Sequence, residues 1–166
     1  MKQRVYLYIL LFLSVFLQVS FAGRITWFPD LVMLVVIFAG IFRGTTEGVI
    51  MGFVAGFLRG CFSPETFLLD VFLFSLIGFV SSMMPRMFYR QNPAAQIILT
   101  IFMTLAVVGA HVLFLNAVSG NDIKVLFAIM NSRGTLITTV LASPILFAFF
   151  QKGLKLEEEE LSSSSF

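Results

Sequence analysis

Six of the twelve glycines in this 166-residue chain recur at every fourth position of one apolar stretch. A glycine inside a helix costs about 1 kcal/mol relative to alanine, so a regular series of them indicates a compensating benefit. In a lipid bilayer that benefit is close approach of helix backbones, because helices there associate through van der Waals contact and small residues permit it. The series therefore predicts a helix-packing or partner interface at Gly40, Gly44, Gly48, Gly52, Gly56 and Gly60.

Two interpretations of this interface stay open. Four residues turn a helix by about 400°, so Gly48, Gly52 and Gly56 form one stripe that drifts slowly around the helix. The stripe packs against another helix of the same chain, or it receives a partner protein. Glycines in membrane helices mostly serve internal packing, which favours the first interpretation.

The composition indicates a membrane protein. Apolar residues make up 58% of the chain and charged residues 12%, whereas a soluble domain carries about 25% charged residues. The mean hydropathy is +0.97. We therefore predict an all-α polytopic integral membrane bundle of about six transmembrane helices, with both termini in the cytoplasm.

A helix needs roughly 20 residues to cross the hydrocarbon core, and we use this length to mark the apolar segments. Together these segments predict one transmembrane domain over residues 1–156. The segments cover about residues 5–22, 30–42, 48–62, 66–84, 94–118 and 135–151. The remaining residues, 157–166, are acidic and serine-rich and are predicted to form a disordered cytoplasmic tail.

Three of these segments admit alternatives. The first also resembles a signal peptide, with Ser20-Phe21-Ala22 as the cleavage site, but further apolar segments follow and we interpret it as a retained helix. The second and third are short and flank a polar turn at Arg43–Glu47. They are either two short helices joined by a tight turn or a re-entrant hairpin.

The orientation follows from lysine and arginine, which are enriched on the cytoplasmic side. With the N-terminus inside, seven fall on the inner side (Lys2, Arg4, Arg43, Arg86, Arg90, Lys152 and Lys155) and four on the outer side (Arg24, Arg59, Lys124 and Arg133).

Four polar residues lie within or at the ends of apolar segments: Arg59, Asp70, His111 and Asn116. A carboxylate at the bilayer centre costs roughly 2.5–3.5 kcal/mol, so Asp70 needs a partner, and we expect an ion pair with Arg59. His111 and Asn116, together with Thr100 and Thr104, are expected to form hydrogen bonds between helices.

The sequence shows no motif for catalysis. It contains no phosphate-binding glycine loop, no G-x-S-x-G and no H-E-x-x-H, and Cys61 is its single cysteine. The net charge of +2 is too small to indicate nucleic-acid binding. We expect no catalytic, cofactor-binding or metal-binding residues and no nucleic-acid partner.

Short motifs follow one another in a defined order along nearly the whole chain. They are Leu17-Gln18, Pro29-Asp30-Leu31, Arg43-Gly44 with the glycine stripe, Leu76-Ile77-Gly78-Phe79, and Ala142-Ser143-Pro144. In this order the chain resembles the MreD family of rod shape-determining membrane proteins, with Gln18, Pro29, Asp30, Gly78 and Pro144 as motif residues. It departs from the family pattern at the end of the third segment, where Arg59-Gly60 stands in place of an acid.

The resemblance implies a non-enzymatic subunit of the bacterial cell-elongation complex, located in the inner membrane as a multi-pass protein. It implies binding to an MreC-like bitopic protein, and through it a link from MreB filaments to RodA and a class B penicillin-binding protein that make peptidoglycan. The alternative is the substrate-binding subunit of an energy-coupling-factor-like vitamin transporter, since MreD-like folds look similar to those subunits. That alternative predicts a polar pocket lined by Asn116, His111 and Asp70.

Overall fold

The computed structural model describes residues 2–22, 27–83, 93–119 and 134–150. These residues form six α-helices and a 3₁₀ turn, and they include no strand. The helices are α1 Lys2–Ala22, α2 Leu31–Arg43, α3 Thr45–Gly60, α4 Phe67–Ser82, α5 Pro93–Ser119 and α6 Gly134–Phe150, with the 3₁₀ turn Pro64–Thr66 before α4. The all-α prediction is confirmed for this part of the chain, while the predicted tail over 157–166 lies outside it.

The central element of the bundle is α2. Every residue from Val32 to Ile41 is buried, so other parts of the protein, and not lipid, cover this helix that is apolar on all sides. The Phe38 ring contacts two rings of α6. Its centroid lies 5.9 Å from that of Phe147, in a tilted arrangement, and 5.4 Å from that of Phe150, edge to face. The short apolar segment is therefore the core of the bundle.

The tightest packing lies between α3 and α4, which run antiparallel. A Cβ added at Gly48 would come within 2.6 Å of the carbonyl oxygen of Gly78, and one added at Gly56 within 2.6 Å of that of Asp70. A Cβ at Gly52 would overlap the carbonyl oxygen of Phe74. The glycines thus bring backbone against backbone, which a methyl group at these positions would prevent.

The other glycines of the series extend the same packing or shape its ends. Gly40 of α2 also faces the Gly78 carbonyl, 2.7 Å from a hypothetical Cβ, and Gly60 faces Phe67. Gly44 has φ 92° and ends α2, with its N–H bonded to the Gly40 carbonyl. Because only glycine adopts this conformation freely, Gly44 allows α3 to begin one residue after α2 has ended.

The last two helices pack through side chains on one face. On α5 the buried face carries Gln96, Leu99, Thr100, Met103, Thr104 and Val107. On α6 it carries Thr139, Ser143, Phe147 and Phe150. Their opposite faces are apolar and exposed, with Phe102 at 64% and Ile145 at 73%, as lipid contact requires.

Two described segments are long and apolar enough to cross a membrane, Pro64–Ser82 and Ala94–Val118. Three further apolar helices are shorter, Val5–Phe21, Leu31–Arg43 and Gly134–Phe150. α2 has 13 residues and measures about 20 Å, against a hydrocarbon core of about 30 Å.

Candidate functional site

Polar side chains gather at one end of the bundle, where α2 begins, α3 ends and α4 begins. We call this region the polar end. Its side chains are Gln18, Asp30, Arg59, Asp70, His111 and Thr139, one from each of α1, α3, α4, α5 and α6 and one from the residue before α2.

Asp30 is the N-cap residue of α2. The first N–H groups of any helix lack partners within the helix and need other acceptors when they are buried. Asp30 Oδ1 accepts from the Met33 N–H at 3.1 Å, as an N-cap residue does. The Leu31 N–H donates to the Pro29 carbonyl at 2.9 Å. Because α2 begins at Leu31 with Asp30 as its N-cap, Pro29 lies before the helix.

Neighbouring helices supply the remaining acceptors at this helix start. The Val32 N–H donates to Gln18 Oε1 of α1 at 3.4 Å. The Asp30 N–H donates to Thr139 Oγ1 of α6 at 2.8 Å, and that hydroxyl in turn donates to the Thr135 carbonyl. Every N–H from Asp30 to Met33 thus has an acceptor, and three helices are joined at one point.

An ion pair links the same point to α3. Arg59 Nη1 donates to Asp30 Oδ2, and the Asp30 side chain is only 7% exposed. The Arg59 guanidinium also lies over the ring of Phe74, with its Cζ 5.2 Å from the centroid, within the range of a cation–π contact. A buried charge is tolerated only when it is paired, so these two residues depend on each other.

A second pair joins α4 to α5. Asp70 Oδ1 lies 3.0 Å from His111 Nε2, and Asp70 Oδ2 accepts from Thr66 Oγ1 at 3.1 Å. The other ring nitrogen, Nδ1, lies 2.9 Å from the Val107 carbonyl oxygen. Since a carbonyl only accepts, this contact is a hydrogen bond in the imidazole tautomer that protonates Nδ1.

The expected Arg59–Asp70 pair is therefore wrong. Arg59 pairs with Asp30 across 29 residues, and Asp70 pairs with His111. The sequence argument placed α3 beside α4 correctly but omitted α2, which brings a nearer carboxylate to Arg59.

The other predicted polar residues have different roles from those expected. Asn116 is exposed. Thr100 and Thr104 are buried, but their hydroxyls donate to carbonyls of their own helix, those of Gln96 and Thr100. Thr104 reaches another helix only through a 3.9 Å contact with the sulfur of Met33. Such bonds within one helix satisfy the hydroxyl without joining helices.

Pro144 lies inside α6 and lacks the N–H that would bond to the Val140 carbonyl. Ser143 Oγ donates to that carbonyl at 2.9 Å. The neighbouring serine thus replaces the missing bond, as in membrane helices that tolerate proline.

Two clefts adjoin the polar end. One of about 270 Å³ is lined by Val15, Gln18, Val19, Val32, Arg59, Phe62 and Ser63. The other, of about 140 Å³, is lined by Asp30, Met33, Arg59, Thr104, Val107, Val108, His111 and Val112. Arg59 borders both, so its guanidinium separates the two spaces.

Thr139 is the participant that sequence reasoning missed. Threonine is common in apolar helices, and its usual bond to a carbonyl of its own turn gives no signal of a second role. The sequence contains one indirect signal. The first N–H groups of a helix as apolar as α2 need hydrogen-bond acceptors from other parts of the chain.

The fold and the polar end define a helical membrane protein in which Gln18, Arg59 and Thr139 from three helices bond to the start of α2. The chain belongs to the MreD family, since residues 3–156 match the family described as rod shape-determining protein MreD. No match was found among curated proteins or among solved structures. The resemblance inferred from the motifs is thereby confirmed, and with it the expectation of a membrane protein that acts in cell shape. The family forms part of the rod-shape machinery together with MreC and MreB.

Proposed function

We propose that the chain is a non-enzymatic scaffold subunit of the bacterial cell-elongation complex, embedded in the inner membrane by several spans. It binds an MreC-like bitopic protein, and through it helps to couple MreB filaments to RodA and a class B penicillin-binding protein. The observation that carries the proposal is the family match over residues 3–156. No finding favours the vitamin-transporter alternative.

The packing supports a lateral docking role. The glycine faces of α2 and α3 are occupied by α4, so they are unsuited to receive a partner. Surfaces open to lipid or to a partner helix lie on α1, α3, α4, α5 and α6, and Phe16, Phe102 and Ile145 are examples on α1, α5 and α6. A partner with one membrane helix meets these faces within the bilayer.

A photo-crosslinking amino acid placed at Phe16, Phe102 or Ile145 in turn tests the docking role in growing cells. We expect at least one of the three positions to trap an MreC-like protein. The same amino acid at Leu11, which is buried on α1, is the matched control for Phe16 and should trap nothing. Absence of cell-wall proteins from all three adducts, combined with failure of the intact chain to copurify any, would refute the scaffold function.

Cys61 offers a test of the proposed orientation without engineering. It is exposed at the end of α3, and it is the only cysteine in the chain. With both termini in the cytoplasm and six spans, this end faces outwards. A membrane-impermeant maleimide added to intact spheroplasts should label it, whereas labelling only after permeabilisation would invert the topology.

A further inference from the structure

The larger cleft at the polar end leads from the interior of the bundle to its surface. Four of its seven lining residues are apolar. Val15 and Val32 are buried, whereas Val19 and Phe62 are 45% and 62% exposed. Most of the cleft therefore suits an apolar occupant that enters from the lipid side.

Arg59 brings unused hydrogen-bond donors to this cleft. A guanidinium group carries several N–H groups in a fixed fork, and within the described part of the chain its ion-pair partner is Asp30, bound through Nη1. The Asp30 side chain is 7% exposed and does not line the larger cleft, whereas the Arg59 side chain lines it and is 30% exposed. The carboxylate thus holds one edge of the guanidinium, and the other N–H groups are left for a further acceptor.

Gln18 borders the same cleft from α1 and is half-buried. Its Oε1 accepts from the Val32 N–H, so its side-chain NH₂ group is the end that remains to donate. Among the described residues no hydrogen bond from that NH₂ group is found. Two helices therefore present donors without acceptors to one cleft.

Both donors lie close to the ends of their helices. α1 ends at Ala22 and α3 at Gly60, so Gln18 and Arg59 are each within about one turn of a helix end. Trp27, in the link that follows α1, is 63% exposed, and tryptophan favours the headgroup level of a bilayer. The cleft is thus placed where lipid headgroups meet the hydrocarbon core.

A phosphodiester fits these donors. Arginine binds phosphate oxygens through strong paired hydrogen bonds. Asp30 already balances the charge of Arg59, so the cleft offers donors without a large excess of positive charge. A singly charged phosphodiester therefore suits it better than inorganic phosphate.

The size and the lining of the cleft favour a lipid as the source of that phosphodiester. Its volume of about 270 Å³ is below the roughly 300–1,000 Å³ of pockets that enclose a whole ligand. It is enough for a headgroup phosphate and the start of a chain, while the rest of the lipid stays in the bilayer.

We infer that the larger cleft is a phospholipid-binding site. Arg59 and Gln18 donate to the headgroup phosphate, and Val19 and Phe62 contact the start of an acyl chain. The bound lipid is held between α1 and α3, beside the start of α2.

Native mass spectrometry of the full-length protein tests the site. After removal of lipid in detergent, added phosphatidylglycerol should bind as a single tightly held molecule. Diacylglycerol with the same chains lacks the phosphate and should bind much more weakly, and inorganic phosphate should not displace the phospholipid. Equal binding of diacylglycerol, displacement by inorganic phosphate, or no tightly held lipid would overturn the inference.

Two variants change the cleft by different means. Gln18→Glu keeps an acceptor for the Val32 N–H but replaces the donor, and we expect affinity for phosphatidylglycerol to fall about tenfold, as for one lost hydrogen bond to a charged group. Val19→Trp fills the cleft from an exposed site and should also weaken binding. Leu13→Trp, at an exposed site of α1 outside the cleft, is the matched control and should bind lipid as the wild type does.

The inference fails if Gln18→Glu binds as tightly as the wild type, or if Val19→Trp and Leu13→Trp have the same effect. A photo-crosslinking amino acid at Val19 in growing cells identifies the occupant directly. We expect a phospholipid adduct, and a protein adduct in its place would show that a partner chain, and not a lipid, fills the cleft.

Discussion

The α3–α4 interface and residues 108–118 of α5 are packed in different ways. Between α3 and α4 the glycines bring carbonyl groups of one helix onto the backbone of the other. Along residues 108–118 of α5 no residue is buried, and within the described part of the chain the polar contact to another helix is that of His111 with Asp70. In lipid, apolar side chains gain little from touching each other, so close backbone contact and polar bonds supply the attraction.

The largest effect is expected from breaking the ion pair at the polar end. Arg59→Met leaves Asp30 buried without a partner, which we expect to lower the free energy of unfolding by about 4 kcal/mol. Asp30→Asn/Arg59→Met removes both charges and retains an N-cap residue, so the double variant should be more stable than Arg59→Met. Thermal unfolding of the purified proteins measures this, and additive losses would show that the two charges act independently.

Adding a methyl group at a glycine should have opposite effects on stability in α3, where the glycine contacts backbone, and in α5, where it does not. Gly52→Ala forces α4 away from α3, at an expected loss of about 3 kcal/mol. Gly109→Ala meets open space and should gain up to about 1 kcal/mol from helix propensity. Unfolding in a single detergent compares the two variants, and equal effects would contradict the contrast between α3 and α5.

Thr139→Val tests the link between α6 and the start of α2. It leaves the Asp30 N–H without an acceptor, and we expect a loss of about 2 kcal/mol. Thr138→Val is the control, because the Thr138 hydroxyl donates only to carbonyls of its own segment, those of Gly134 and Thr135. If both variants unfold at the same temperature, the hydrogen bond from Asp30 does not stabilise the bundle.

The smallest effect is expected within α6, where the Ser143 hydroxyl replaces the backbone hydrogen bond that Pro144 cannot make to the Val140 carbonyl. Ser143→Ala leaves the Val140 carbonyl without its donor and should cost about 1 kcal/mol. Ser143→Ala/Pro144→Ala restores a backbone N–H for that carbonyl and should recover the loss. A double variant less stable than Ser143→Ala would mean that Pro144 has a separate role in packing.

The helical class and the start of α2 were accessible from the sequence because their signals are local. Hydropathy marks the segments, and Pro29-Asp30 marks the point where a helix begins, since proline and a capping carboxylate act within one turn. Gly44 was visible as a turn for the same reason. The partners of the buried charges were not accessible, because they depend on which helices are neighbours.

Arg59 illustrates this limit. The sequence offered Asp70 as its partner, only 11 residues away, across a turn at Ser63-Pro64. The structure places Asp30 against it instead, because α2 occupies the centre of the bundle and delivers its N-cap to the end of α3. The partner of Thr139 could not be predicted either. Apolar helices contain many hydroxyl groups, and the sequence does not show which of them accepts a hydrogen bond from another helix.

The shortness of α2 has a consequence for biogenesis. A helix of 13 residues is too short to be released alone into a hydrocarbon core of about 30 Å, and its first N–H groups are satisfied by residues as late in the chain as Thr139. Gly44 alone joins it to α3, so we expect the two helices to enter the bilayer together as a hairpin. Its final bonds form only after α6 has been synthesised, which makes the centre of this protein the last part of it to be completed.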